Sequence, residues 1–134
     1  MLPSSIFSST TIPVLEQVVN FTQARQTVLA GNLANFDTPG YRVRDLSPQK
    51  FETRLREAID ARDRQHGSAA DCCRENLMAS ASQDLAGILY HDESNQSIEQ
   101  QVTAMSKNQA RHNTAIAIMS SQFRLLQVAI SERV

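Results

Sequence analysis

Between residues 97 and 130 the sequence repeats an alternation of four and three steps. It runs through Ile98, Val102, Met105, Gln109, His112, Ile116, Met119, Phe123, Leu126 and Ile130. Only Gln109 and His112 in that row are polar, and neither Pro nor Gly occurs after Gly87. A 3.5-residue repeat held this long predicts one helix that packs along another as a coiled coil. At 1.5 Å per residue that helix is roughly 50 Å long. This exceeds what a compact domain of 134 residues encloses, so the chain reads as an elongated part of a larger assembly.

A second, noisier alternation begins after Pro13 and passes through Leu15, Val19, Thr22, Gln26, Leu29 and Leu33. Pro13 suits a first helical turn, where its missing N–H costs no bond, and Glu16 suits that turn's dipole. The helix is expected over 13–35, with Asn35 in the left-handed conformation that often ends helices. Thr38 precedes Pro and is held out of the helical region. Pro39-Gly40 fits the centre of a type II turn, with Gly supplying the positive φ.

The segment 41–46 alternates apolar and charged residues and suits a short extended run. Ser47-Pro48 then forms an N-cap followed by Pro at the first helical position. The helix that follows carries Phe51, Leu55, Ala58 and Ile59 on one face. Glu52 with Arg56, and Asp60 with Arg64, are favourable i,i+4 pairs. The fold class is therefore all-α: long N- and C-terminal helices paired as an elongated antiparallel coiled-coil hairpin, a short middle helix and an irregular central loop. The expected order is a flexible N-terminus over 1–12, the first helix over 13–35, turn and second helix over 36–66, an irregular loop over 67–96 and the last helix over 97–131. Within the loop, 74–82 suits a weak helix and 85–90 a strand.

Composition narrows the function classes. With 13 basic and 14 acidic residues the net charge is −1, which speaks against a nucleic-acid partner. The basic residues Arg42, Arg44, Arg54, Arg56, Arg62 and Arg64 interleave with Asp45, Glu52, Glu57, Asp60 and Asp63, the pattern of a solvated, salt-bridged surface. Aromatic residues make up 5%, too few to line a large small-molecule pocket. His66, His91 and His112 share no motif, and no hydrolase, phosphate-loop or zinc-protease pattern is present. Cys72 and Cys73 are adjacent, a spacing at which a mutual disulfide is strained and zinc ligation is not indicated. The expectation is a chain that is not an enzyme and takes no cofactor, metal or small-molecule substrate. No apolar run is long enough for a membrane span. The N-terminus has no basic residue and no apolar h-region, so no cleaved secretory signal is expected.

The stretch Leu29-Ala30-Gly31-Asn32-Leu33-Ala34-Asn35-Phe36-Asp37-Thr38-Pro39-Gly40-Tyr41 resembles the N-terminal signature of the rod and hook proteins of the bacterial flagellum. Arg25, Asn32, Asn35, Asp37, Thr38 and Gly40 sit where that motif puts them, and the continuation through Tyr41 to Asp45 is similar to the proximal rod branch. At the other end, 108–112, then 122–126 and Ala129-Ile130, resemble the family's C-terminal pattern. The family often has an apolar and then an acidic residue where this chain has Gln96-Ser97, and an acidic one where Gln101 sits.

The resemblance implies a structural subunit of the basal body rod, polymerised through coiled-coil packing into a hollow drive shaft across the periplasm and needed for motility. It implies export by the flagellar type III apparatus without a cleaved signal. The implied partners are copies of itself, other rod proteins, the rod–MS-ring adaptor and the MS ring. An inner-rod subunit of a virulence type III system is the alternative. The residues expected to matter are the motif and turn Asn32, Asn35, Asp37, Thr38, Pro39, Gly40 and Tyr41. To these are added a packing seam of Leu15, Val19, Leu29 and Leu33 against Ile98, Val102, Met105, Ile116, Met119, Phe123, Leu126 and Ile130.

Overall fold

A computed structural model of the protein describes residues 11–64 and 98–131. The expectations for the N-terminal segment, the 67–96 loop, Cys72, Cys73, His66 and His91 lie outside those residues. Three helices make up the described fold: α1 (Ile12–Ala34), α2 (Pro48–Arg64) and α3 (Ile98–Ser131). No strand occurs among the described residues.

α1 begins one residue before Pro13, with Thr11 as its N-cap. The first internal bond runs from Leu15 N–H to the Thr11 carbonyl at 3.1 Å. Pro13 thus occupies a position whose N–H has no helical acceptor. The early start carries Glu16 past the first turn, which holds no acidic residue. The favourable dipole contact expected of Glu16 is therefore lost, because the effect fades beyond one turn.

The C-terminus of α1 departs from expectation as well. Asn35 has φ −106° and ψ 16°, outside the left-handed region. It closes the helix with its side chain instead: Nδ2 donates to the Gly31 carbonyl at 2.8 Å. Its own N–H donates to the same oxygen at 3.1 Å. Two consecutive turns then reverse the chain, with Thr38 N–H donating to Asn35 O and Tyr41 N–H to Thr38 O. In the second, Gly40 has φ +78°, the conformation a type II turn requires at that position.

α1 and α3 pack along each other, and their cross-helix bonds show the sense. Asn32 meets Gln101, Gln26 and Thr22 meet Asn108, and Thr22 meets His112. Numbers fall on one helix as they rise on the other, so the pair is antiparallel. α3 has 34 residues against 23 in α1. At 1.5 Å per residue the lengths are about 51 and 34 Å.

α2 is seated across this hairpin. Ser47 caps it, its carbonyl accepting from Phe51 N–H at 3.2 Å and its Oγ from Lys50 N–H at 3.4 Å. Phe51 stacks on Phe21 of α1, with ring centroids 4.0 Å apart and planes at 6°. Glu52 reaches Arg111 of α3 at 3.4 Å, rather than being held by Arg56 on its own helix. Both partners are about half exposed, so this ion pair contributes little. Leu55, Ala58 and Ile59 are half-buried on the same face.

Candidate functional site

Three features of the hairpin are candidates for function: the interior seam, the turn that follows α1 and the outward face of α3. The seam is polar. On α1 the buried residues are Gln17, Phe21, Thr22, Arg25, Leu29 and Asn32; on α3 they are Gln101, Asn108 and Ala115. The only apolar residues fully buried among those described are Phe21, Leu29, Leu46 and Ala115. So small an apolar interior leaves hydrogen bonds to define how the helices meet.

Those bonds form a ladder. Asn108 Nδ2 donates to the Thr22 carbonyl at 2.8 Å and to Gln26 Oε1 at 2.9 Å. Thr22 Oγ1 lies 2.9 Å from both the Val18 and Val19 carbonyls and 2.9 Å from His112 Nδ1. The hydroxyl thus joins the main chain of α1 to the His112 imidazole. Asn32 Nδ2 donates to Gln101 Oε1 at 3.4 Å.

The turn residues converge on Asn32, which is 1% exposed. Its Oδ1 accepts from the Arg44 N–H at 3.1 Å and from the Tyr41 hydroxyl at 3.2 Å. Its Nδ2 donates to the Arg44 carbonyl. One carboxamide thus pairs with both backbone groups of Arg44, as a neighbouring strand would. Two helical turns earlier, Arg25 grips Asp45 with Nε to Oδ1 at 2.8 Å and Nη2 to Oδ2 at 2.7 Å. This bidentate, charge-assisted pair is the strong form of the interaction. Leu46, 1% exposed, is buried just beyond it. Asn32 and Arg25 together bind the returning chain back along α1. Asn35 closes the helix, while Asp37, Thr38, Pro39, Gly40 and Tyr41 are exposed at the turn.

The structure divides the apolar row read from the sequence. Met105, His112, Met119 and Leu126 are half-buried. Ile98, Val102, Gln109, Ile116, Phe123 and Ile130 are exposed. The interior row that complements Met105 and His112 is Gln101, Asn108, Ala115 and Gln122, one residue earlier than the apolar row. At 3.6 residues per turn this turns the helix midline by roughly 50°. On α1, Leu29 is buried, Leu15 and Val19 are half-buried, and Leu33 is exposed. Hydrophobic periodicity pointed away from Arg25, Gln101 and Asn108 because it scores greasiness alone. The signal for Gln101 and Asn108 was a second seven-step row, Gln101, Asn108, Ala115 and Gln122, adjoining the apolar one; Arg25 was marked by the motif alone.

What remains outside is a long apolar surface. Ile116 is 43% exposed, Phe123 48%, Leu125 62% and Ile130 64%. From Ala115 onward apolar residues cover most of the circumference of α3, interrupted by a polar stripe of Ser120, Arg124, Gln127 and Ser131 at helical spacing. An open groove of about 600 Å³ between α3 and the start of α2 is lined by Arg25, Lys107 and Arg111 together with Glu99, and Arg25 and Arg111 are already paired with Asp45 and Glu52. Among the described residues no group of His, Cys, Asp and Glu is arranged to hold a metal. None of their helices is long and apolar enough to cross a membrane.

The described helices thus form an extended hairpin with a polar seam and an exterior rich in exposed apolar side chains. Residues 19–42 match the family model described as "Flagella basal body rod protein". That segment contains the clasp residues Arg25 and Asn32 and the Gly40 turn. The chain is also 28% identical over 130 residues to the flagellar basal body rod protein FlgB of Bacillus subtilis (strain 168), covering 95% of this chain and 97% of that protein. It is 28% identical over 122 residues to FlgB of Aquifex aeolicus (strain VF5), covering 91% and 94%. No solved structure gave a match. The chain is thus similar to flagellar basal body rod proteins, and among them to those of the FlgB type.

Proposed function

We propose that this chain is a structural subunit of the flagellar basal body rod, polymerised by helix packing into the hollow drive shaft that crosses the periplasm. The observation that carries the reading is the outward row Ile98, Val102, Ile116, Phe123 and Ile130, left exposed on a chain similar to named rod proteins over more than nine-tenths of its length. Neighbouring hairpins bury that row. Copies of the chain and other rod proteins are the natural occupants, with the rod–MS-ring adaptor and the MS ring at the proximal end. Delivery falls to the flagellar type III export apparatus. A hairpin with so few buried apolar side chains suits passage through a narrow channel, because it gains its full stability only among its neighbours.

The test separates assembly from folding. Ile116→Asp and Phe123→Asp place charges on the exposed row, where surface substitutions change stability by about 0.5 kcal/mol or less. The purified variants are expected to keep the parent's circular dichroism and urea midpoint. In the bacterium that carries the protein they are expected to abolish swimming and incorporation into isolated basal bodies. Normal motility with both substitutions present counts decisively against the proposal.

A further inference from the structure

We propose that the buried ladder centred on Asn108 sets the register in which α1 and α3 pair. The inference concerns the hairpin alone and does not depend on what the assembled subunit touches. It starts from what cannot fix the register. Residues 65–97 separate α2 from α3 in the sequence, so no short turn dictates how far α3 is advanced along its partner. Apolar residues recur at seven-step spacing within the row on α3, Ile98 with Met105, Ile116 with Phe123 and Ile130, and Met119 with Leu126, so at those sites greasiness alone does not tell one register from the next.

The polar residues do not tolerate that slip. In the observed register Asn108 donates to Gln26, and His112 bonds Thr22. Moved by seven in either direction, Asn108 faces Leu33 or Val19 in place of Gln26. His112 faces Leu29 or Leu15 in place of the Thr22 hydroxyl. Gln101 loses Asn32, meeting Arg25 in one direction and lying past the end of α1 in the other. One register satisfies the ladder, and both neighbouring registers place an amide and an imidazole against aliphatic side chains. A single buried polar residue at a core position of a coiled coil is known to specify register at a cost in stability. That cost is visible here: Asn108 is 1% exposed, and its Oδ1 has no hydrogen-bond partner among the described residues. A leucine at that site would bury no such atom, so the carboxamide is better explained by pairing choice than by stability.

Disulfide trapping in the purified full-length chain tests this, at low protein concentration and with Cys72→Ser and Cys73→Ser as background. Val18→Cys with Ala115→Cys reports the observed register. Val18→Cys with Gln122→Cys, and Thr11→Cys with Ala115→Cys, report slips of one heptad in the two directions. A heptad slip moves the helices by about 10 Å, beyond the reach of a disulfide, so the reporters do not cross-read. With the ladder intact, the in-register pair is expected to form at least tenfold faster than either slipped pair. Replacing the ladder by Gln101→Leu, Asn108→Leu and His112→Leu together is expected to cut that preference to threefold or less, with helicity retained or raised. Asn108→Leu alone, expected to reduce the preference at least twofold, decides the matter should the triple variant aggregate. Preference that stays within a factor of two of the parent in a helical ladder variant overturns the proposal. So does equal trapping of all three pairs with the ladder intact.

Discussion

Asn32→Leu is the sharpest probe of the clasp behind the turn. The two side chains are close in volume, so the substitution removes hydrogen bonds with little change in packing. Asn32 accepts from Arg44 N–H and the Tyr41 hydroxyl and donates to Arg44 O and Gln101 Oε1. Tyr41 is exposed and its hydroxyl finds water. The two backbone groups of Arg44 are only part-buried and recover some hydration, costing about 1 kcal/mol each. Gln101 is 4% exposed and loses one acceptor contact, adding up to about 1–2 kcal/mol. The sum is about 3 kcal/mol, a large fraction of what an ordinary small domain possesses. Amide exchange is the assay of choice, because it reads the site directly. The Arg44 amide is expected to lose its protection, and the urea midpoint of the helical signal should fall. Unchanged protection at Arg44, with an unchanged midpoint, would refute the assignment of Asn32 as the group that holds the returning chain.

The ion pair beside it predicts an asymmetry. Arg25 is 9% exposed at its side chain and Asp45 33%. Asp45→Ala strands a buried guanidinium, whereas Arg25→Ala strands a carboxylate that water reaches. Asp45→Ala should therefore be the more destabilising, with losses of about 3 and 2 kcal/mol in urea titrations. Gly40→Val forces a β-branched residue to φ +78°, although a Cβ there meets nothing within 4 Å. The cost of about 1–2 kcal/mol is then purely backbone, and Gly40→Asn should recover more than half of it by the same measurement. Phe51→Ala removes one ring of the Phe21 stack from a half-buried site. A loss of about 2 kcal/mol is expected. Exchange should show α2 amides opening while α1 and α3 stay protected.

The pairing of long terminal helices was legible because Pro13 and the Pro39-Gly40 turn bracket the first, neither Pro nor Gly interrupts the last, and the four–three alternation runs for several turns. The Pro39-Gly40 turn was legible for a local reason, since few backbones suit that dipeptide. Which face of α3 turns inward was not. A periodic apolar row states that something covers it, and α1 covers only part of it. The inward choice depends on hydrogen bonds between residues far apart in the chain, such as Asn108 with Gln26, and no local pattern encodes them. Asn32 and Arg25 stood within a recognisable motif, yet their acceptors on Arg44 and Asp45 became evident only when the chain was seen to double back.

The polar seam inverts a habit of protein engineering. Replacing exposed leucines and isoleucines with lysine normally improves behaviour at no loss, while interior polar groups are the usual targets for stabilising swaps. Applied to this hairpin, both edits would make a better-behaved protein in the test tube. They would also erase the information about how the piece is meant to be joined and in what alignment. A variant library ranked by solubility or melting temperature would thus enrich the chains least fit to build anything.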